Sequence, residues 1–101
     1  MLYNIWYTKR GNNAFDANVA LSGLESTHVR VSEGHRADSL DDAYADHQAD
    51  MWPVERYERW GDLVCNRLGA SHATMSVGDV IEEVESGAFY AVAHIGFKKL
   101  S

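Results

Sequence analysis

The residues most suited to chemistry are aspartates that recur at a fixed interval in the middle of the chain. Residues four positions apart on an α-helix share one face, so this spacing predicts a line of carboxylates along a helix. Such a line could attract a basic partner or imitate the spaced phosphates of a nucleic acid. The solvated outer face of an amphipathic helix explains the same spacing without a function. The residues at this spacing are Asp38, Asp42, Asp46 and Asp50, and Asp41 lies alongside them. We call all five residues the acidic row.

The acidic row lies where the charge of the whole chain is concentrated. The net charge is −6, and residues 33–62 alone contain nine acidic and three basic residues, a net charge of −6. A negative field opposes binding to nucleic acid and favours basic protein partners. It therefore disfavours a nucleic-acid interface built from the scattered basic residues Lys9, Arg10, Lys98 and Lys99.

Histidine spacing does not favour a metal site. No two histidines have the H-x-x-x-H or H-E-x-x-H spacing that directs two imidazoles at one ion, so we expect no metal and no cofactor. His47 falls on the apolar face of its predicted helix, where a hydrogen-bonded core histidine is the ordinary outcome. The five histidines are His28, His35, His47, His72 and His94.

No residue is predicted to be catalytic. Cys65 is the single cysteine and falls late in a predicted helix, whereas a reactive thiol needs a helix start or a nearby base; a buried, inert thiol is expected. Ser76 and Asp79 can cap the turn before a strand, which explains them without a function. The sequence contains no nucleophile elbow, P-loop or dinucleotide fingerprint.

The most structurally specific segment is MSVGDVIEEVESGAFYAVAHIGFKKL, residues 75–100. The runs Val80–Glu85 and Phe89–His94 predict an antiparallel hairpin around Ser86-Gly87. The segment resembles the C-terminal signature of YodL-like domains, which occur in phage, plasmid and other mobile-element proteins. This resemblance implies an accessory protein of a mobile element and no established activity. The matching residues are Ser76, Gly78, Asp79, Val80, Ile81, Tyr90, Gly96 and Phe97.

Strands are also predicted near the N-terminus. Leu2–Tyr7 is rich in β-forming residues with apolar side chains on both faces, which predicts a central strand. Residues 16–24 predict a short helix capped by Asp16, residues 26–32 alternate as a strand, and residues 33–36 are expected to form a loop.

Two helices are predicted in the middle of the chain. The first begins at Ser39 and continues to Pro53, and the second runs from Pro53 to about Leu68. The predicted buried stripe of the second helix is Tyr57, Trp60, Val64 and Leu68. Strands at both ends with helices between them predict an α+β fold, a small, mostly antiparallel sheet with helices packed on one face.

Length and composition set the class of protein. The 101 residues fit a single domain with one core, and 46% hydrophobic with 24% charged residues is typical of globular proteins. No apolar run approaches the roughly 20 residues of a membrane span, and the first residues lack the features of a signal peptide. With a single cysteine, these features predict a cytoplasmic protein.

Two functions from different classes follow. The first is a small non-enzymatic accessory protein of a phage or mobile element, which binds a macromolecular partner, such as a host protein, through the acidic row. The alternative is a small enzyme or nucleotide-binding domain with a site near Asp79, Tyr90 and His94.

Overall fold

An antiparallel sheet is the frame of the molecule, which we describe from a computed structural model for residues 1–12 and 16–101. Within these residues the sheet has five strands in the order β2-β1-β3-β4-β5. The strand β1 lies between two neighbours, as its two-sided apolar pattern predicts. The strands are β1 (Leu2–Thr8), β2 (His28–Arg36), β3 (Val80–Glu83), β4 (Ala88–Val92) and β5 (Phe97–Lys99).

The predicted C-terminal hairpin is confirmed. Strands β3 and β4 pair antiparallel, with Ile81 opposite Tyr90 and Glu83 opposite Ala88. Residues 84–87 form the turn, so β3 ends at Glu83 and not at the predicted Glu85. Strand β4 begins one residue before the predicted start and ends at Val92, before the predicted His94. A second turn, which includes Gly96, leads into β5, a short edge strand that the sequence analysis did not predict.

The predicted loop at residues 33–36 is wrong, because these residues continue strand β2. Between the pairs Ile5–Ser32 and Tyr3–His35 the strand β2 contains one more residue than β1, which is a β-bulge. Gly34 lies in this bulge with a φ of +65°, and its N–H donates to Asn4 Oδ1 over 2.9 Å. Glycine allows this backbone conformation, so the strand continues past the irregularity.

The predicted helix over residues 16–24 is also wrong. The carboxylate of Asp16 accepts a hydrogen bond from the N–H of Asn18, which forms a local turn in place of a helix cap. A single helical turn, α1 (Leu24–Thr27), begins only after Gly23.

The first of the two middle helices is shorter than predicted. Helix α2 (Leu40–Asp46) begins at the expected cap, where the hydroxyl of Ser39 accepts from the N–H of Asp42. It ends at Asp46 because the following backbone groups bond to another segment: His47 O accepts from Met75 N, and Asp50 N donates to Thr74 Oγ1. A short 3-10 turn (Ala49–Met51) follows.

The second middle helix begins after Pro53 and changes type partway. Helix α3 (Val54–Gly61) continues into a π-helical segment (Asp62–Arg67) and stops before Gly69, close to the predicted end. The wider π turn shifts the helix face that meets the sheet. Val64 is fully buried, as predicted, but Trp60 is only partly buried, and Tyr57 and Leu68 are exposed.

Helices α2 and α3 pack on one face of the sheet, and the single turn α1 lies on the other. Alternate residues of β1 (Tyr3, Ile5 and Tyr7) lie with Ile81 and Val92 in a core that also contains Ala43 of α2 and Val64. On the opposite face, Trp6 and Phe89 lie beside Leu24, and Lys98 Nζ donates to Asn18 Oδ1. The predicted α+β architecture is therefore confirmed.

Candidate functional site

The buried carboxylate of Asp79 organises the end of the sheet. It is completely inaccessible to solvent. Its Oδ1 accepts from the N–H and hydroxyl of Thr8 over 2.9 and 3.3 Å, and its Oδ2 accepts from Ser76 N over 2.8 Å. The predicted capping of the turn is present, and the same side chain also ties β1 to the segment before β3.

A histidine connects this carboxylate to the surface. His72 Nε2 donates to Asp79 Oδ2 over 2.7 Å, and Ser71 Oγ lies 2.7 Å from His72 Nδ1. The ring of His72 stacks on Tyr7 at 5.4 Å between centroids. The connectivity is that of a Ser–His–Asp triad, but such catalysis also needs oxyanion donors and a substrate cavity. The cavities described below are lined by other residues.

The alternative site predicted near Asp79 is dispersed. Tyr90 lies on β4 opposite Lys99, and His94 lies exposed in the turn before β5. Among the described residues, neither side chain forms a hydrogen bond or ion pair with Asp79. His94 instead borders a shallow depression with Asp41, Tyr44 and Phe97.

All members of the acidic row are exposed, but they do not share one helix. Asp41, Asp42 and Asp46 belong to α2, whereas Asp38 precedes its cap and Asp50 lies in the 3-10 turn. Asp46 Oδ2 lies 2.9 Å from His35 Nε2. Within residues 1–12 and 16–101, no ion pair involves the other four carboxylates. The row is therefore a bent acidic surface and not the straight helical stripe that the sequence predicts.

An exposed apolar patch lies directly after the acidic row, and the sequence analysis missed it. Met51 is 82% exposed, Val54 is 70% exposed and Tyr57 is 40% exposed. With Trp52, Val54 and Tyr57, Asp50 lines a depression of about 190 Å³. The available signal was the apolar run around Pro53, where the sequence predicts that one helix ends and the next begins. We call Met51, Trp52, Val54 and Tyr57 the apolar patch.

A second feature that sequence reasoning missed is a cavity of about 340 Å³ between β2, α2 and α3, which we call the histidine pocket. It is the only place among the described residues where two histidine rings meet: His35 and His47 lie 4.7 Å apart in an edge-to-face arrangement. Their separation in sequence gave no signal, because the pocket forms only when the bulged strand meets α2. Its lining residues are Ser32, His35, Asp46, His47, Trp52, Arg56, Arg59, Trp60 and Leu63.

The hydrogen bonds of His47 fix its tautomer. Nδ1 lies 2.9 Å from the carbonyl oxygen of Ala43, which can only accept, so Nδ1 carries the proton. In the neutral ring Nε2 then accepts from the hydroxyl of Ser32 over 2.8 Å. Burial lowers the pKa of His47, opposed by the hydrogen bond to Ala43 and assisted by the nearby His35. His47 is therefore a satisfied, neutral core histidine, as its position on the apolar face predicts.

The scattered basic residues are partly used by the fold. Lys9 Nζ donates to the carbonyl of Glu25, and Arg10 Nη2 donates to the carbonyl of Cys65. Cys65 is partly buried, and this burial raises the pKa of its thiol, opposed by Arg10. Nothing in this geometry activates the thiol.

The described residues contain no cluster of three or more side chains that could hold a metal ion, and no described helix is long and apolar enough to cross a membrane. Comparison of the chain with protein families, with curated proteins and with solved structures found no match.

Proposed function

We propose that this is a non-enzymatic binding protein that docks a macromolecular partner on the surface formed by the acidic row and the apolar patch. The observation that carries the proposal is the exposure of Met51 and Val54, 82% and 70%, next to the carboxylate of Asp50, which forms no ion pair with any of the described residues. Large apolar side chains that cluster on a surface mark interaction sites more often than scattered ones do.

The chemistry of this surface defines the partner. Protein interfaces combine an apolar centre, enriched in Met and aromatic residues, with a polar rim. Here the centre is Met51, Trp52, Val54 and Tyr57, and the rim is acidic. A protein that presents apolar side chains flanked by Lys or Arg would fit both parts. Nucleic acid does not fit, because its phosphates would meet the carboxylates of the acidic row.

The biological setting of the proposal rests on the resemblance of residues 75–100 to YodL-like domains. A phage or mobile-element accessory protein in the cytoplasm of a bacterial host would meet host proteins as partners. Asp79, the acid of that signature, is occupied by the backbone of β1 and of the turn. The residues of the resemblance therefore support the fold, whereas the proposed partner surface lies on α2, the 3-10 turn and α3.

The test is a quantitative comparison of proteins crosslinked to wild type and to variants in bacterial lysate. The combined changes Met51→Ser and Val54→Ser should remove the specific partner. Ile95→Ser is the matched control, because Ile95 is also apolar and 95% exposed but lies in the turn before β5. Loss of the partner from the first variant alone is the expected result, and equal recovery from all three proteins would contradict the proposal.

A further inference from the structure

We propose that the histidine pocket binds a small organic anion, a carboxylate or phosphate monoester carried on an aromatic or apolar body. This inference concerns a different site from the proposed partner surface, with Asp46 and Trp52 as the two shared residues, and it stands independently of that proposal.

The charge of the pocket points to an anion. Arg56 and Arg59 both line it, and among the described residues neither guanidinium has a carboxylate within 4.0 Å. Glu55 precedes Arg59 by one helical turn on α3, but among the described residues the two side chains form no ion pair. The acidic member of the lining, Asp46, is bonded to His35. The arginines are therefore available for a planar, two-oxygen anion, which guanidinium groups bind in a fork geometry.

The walls of the pocket point to an apolar body on that anion. Trp52, Trp60 and Leu63 line it, and the two indole rings meet at 5.9 Å between centroids. Trp60 is held in place, since its Nε1 donates to Ala73 O over 2.8 Å and its ring meets Tyr7 edge to face. The guanidinium of Arg56 lies 3.9 Å from the centroid of Trp52. A cavity of about 340 Å³ is at the small end of the range for ligand sites.

The floor of the histidine pocket, formed by His47 and Ser32, is uncharged. The bond from His47 Nδ1 to Ala43 and the bond from the Ser32 hydroxyl to Nε2 hold a neutral imidazole. With His47 neutral, the positive charge of the pocket comes from Arg56 and Arg59 at its α3 side. The anionic group of the ligand should therefore lie next to Arg56 and Arg59, and the apolar body should lie between Trp60 and Leu63.

The experiment is an NMR titration that follows the indole N–H signals of the three tryptophans. The probes are phenyl phosphate, benzoate, inorganic phosphate and neutral benzyl alcohol. Phenyl phosphate and benzoate should shift the Trp52 and Trp60 signals saturably at millimolar concentrations, inorganic phosphate should bind more weakly, and benzyl alcohol should not saturate. Trp6 should not respond, because its Nε1 donates to Glu82 on the other face of the sheet.

Variants decide whether the arginines cause the binding. Arg56→Gln and Arg59→Gln together should weaken phenyl phosphate binding by about tenfold or more. The control Arg67→Gln, on the following π segment and paired with Asp62, should bind as wild type does. M51S/V54S should also bind normally, which separates this site from the partner surface. Equal affinity in the double arginine variant, equally tight benzyl alcohol binding, or no saturable binding of either aromatic anion would each overturn the proposal.

Discussion

At the scale of single residues, Asp79 holds β1 to the turn before β3. It brings a buried charge to the end of the sheet, and its two oxygens receive four donors. We expect Asp79→Asn to lower the free energy of unfolding by roughly 2–4 kcal/mol, because an amide nitrogen would face donors such as Ser76 N. Urea denaturation measures this loss.

The neighbouring residue Tyr7 gives a matched control for that change. Its ring is buried, yet its hydroxyl has no hydrogen-bond partner among the described residues. Removing an unsatisfied buried hydroxyl should not lower the free energy of unfolding and can raise it. Tyr7→Phe should therefore keep or raise the urea midpoint. A midpoint that falls as far in Tyr7→Phe as in Asp79→Asn would show that the hydrogen-bond assignment at this end of the sheet is wrong.

His47 makes stability depend on pH in a definite direction. Burial lowers its pKa in the folded state, while the unfolded chain keeps a value of about 6.5. Below that pH the unfolded state takes up a proton that the folded state resists, so the free energy of unfolding falls as the pH falls.

The comparison that isolates this effect is wild type against His47→Gln. Between about pH 7.5 and pH 5, the wild type should lose more stability than the variant, with a difference in slope of at most about 1.4 kcal/mol per pH unit. The groups that face His47, namely His35, Asp46 and Arg56, remain in both proteins. Parallel stability curves for the two proteins would contradict a neutral buried imidazole.

At the scale of elements, the helix after Pro53 shows how a local irregularity changes which residues support the fold. Val64, in the π segment, lies in the core, whereas Tyr57, on α3, lies outside it. Trp60 contacts Tyr7, His47 and Trp52 by its ring. Trp60→Ala should cost roughly 2–4 kcal/mol, less than for a fully buried tryptophan, whereas Tyr57→Ala should cost under about 1 kcal/mol. Thermal and urea unfolding of both variants measures this difference. Similar losses of stability in the two variants would mean that the face of the helix that packs on the sheet is wrongly assigned.

Local signals predicted the elements that local chemistry determines. The first strand and the hairpin around Ser86-Gly87 were predictable from β-forming residues and turn chemistry, and the α2 start was predictable from its Ser39 cap. Their extents were not, because they depend on bonds between distant segments. The bond from Met75 N to His47 O helps to end α2, and the Asn4 side chain supports the bulge at Gly34.

The candidate sites were less predictable than the fold, for the same reason. Spacing identified the acidic row, but the sequence could not show that α2 stops within it. The histidine pocket combines Ser32, His47 and Arg56 from three elements, and no sequence period relates such residues. The apolar patch arises because the chain turns at Pro53 and leaves Met51 and Val54 outside the core.

At the scale of the whole molecule, the two faces of the sheet have different roles. One face is covered by the segment around Leu24, and the other carries α2 and α3. Residues 33–62, which contain the net charge of −6, include both of those helices. The acidic row, the apolar patch and the residues that line the histidine pocket, apart from Ser32 and Leu63, thus lie in the same stretch of chain, which concentrates the proposed binding functions there.

The most direct test of the central claim is the salt dependence of binding to the crosslinked partner. The test variant replaces Asp38, Asp42 and Asp50 with Asn; Asp46 is kept because it is bonded to His35. The control replaces Glu25, Glu83 and Glu85 with Gln, which changes the net charge equally at residues that do not belong to the acidic row. The account predicts a slower association rate and a flatter salt dependence for the test variant alone, because charges at the rim steer encounter. Equal affinities and equal salt slopes for wild type and the test variant would contradict it.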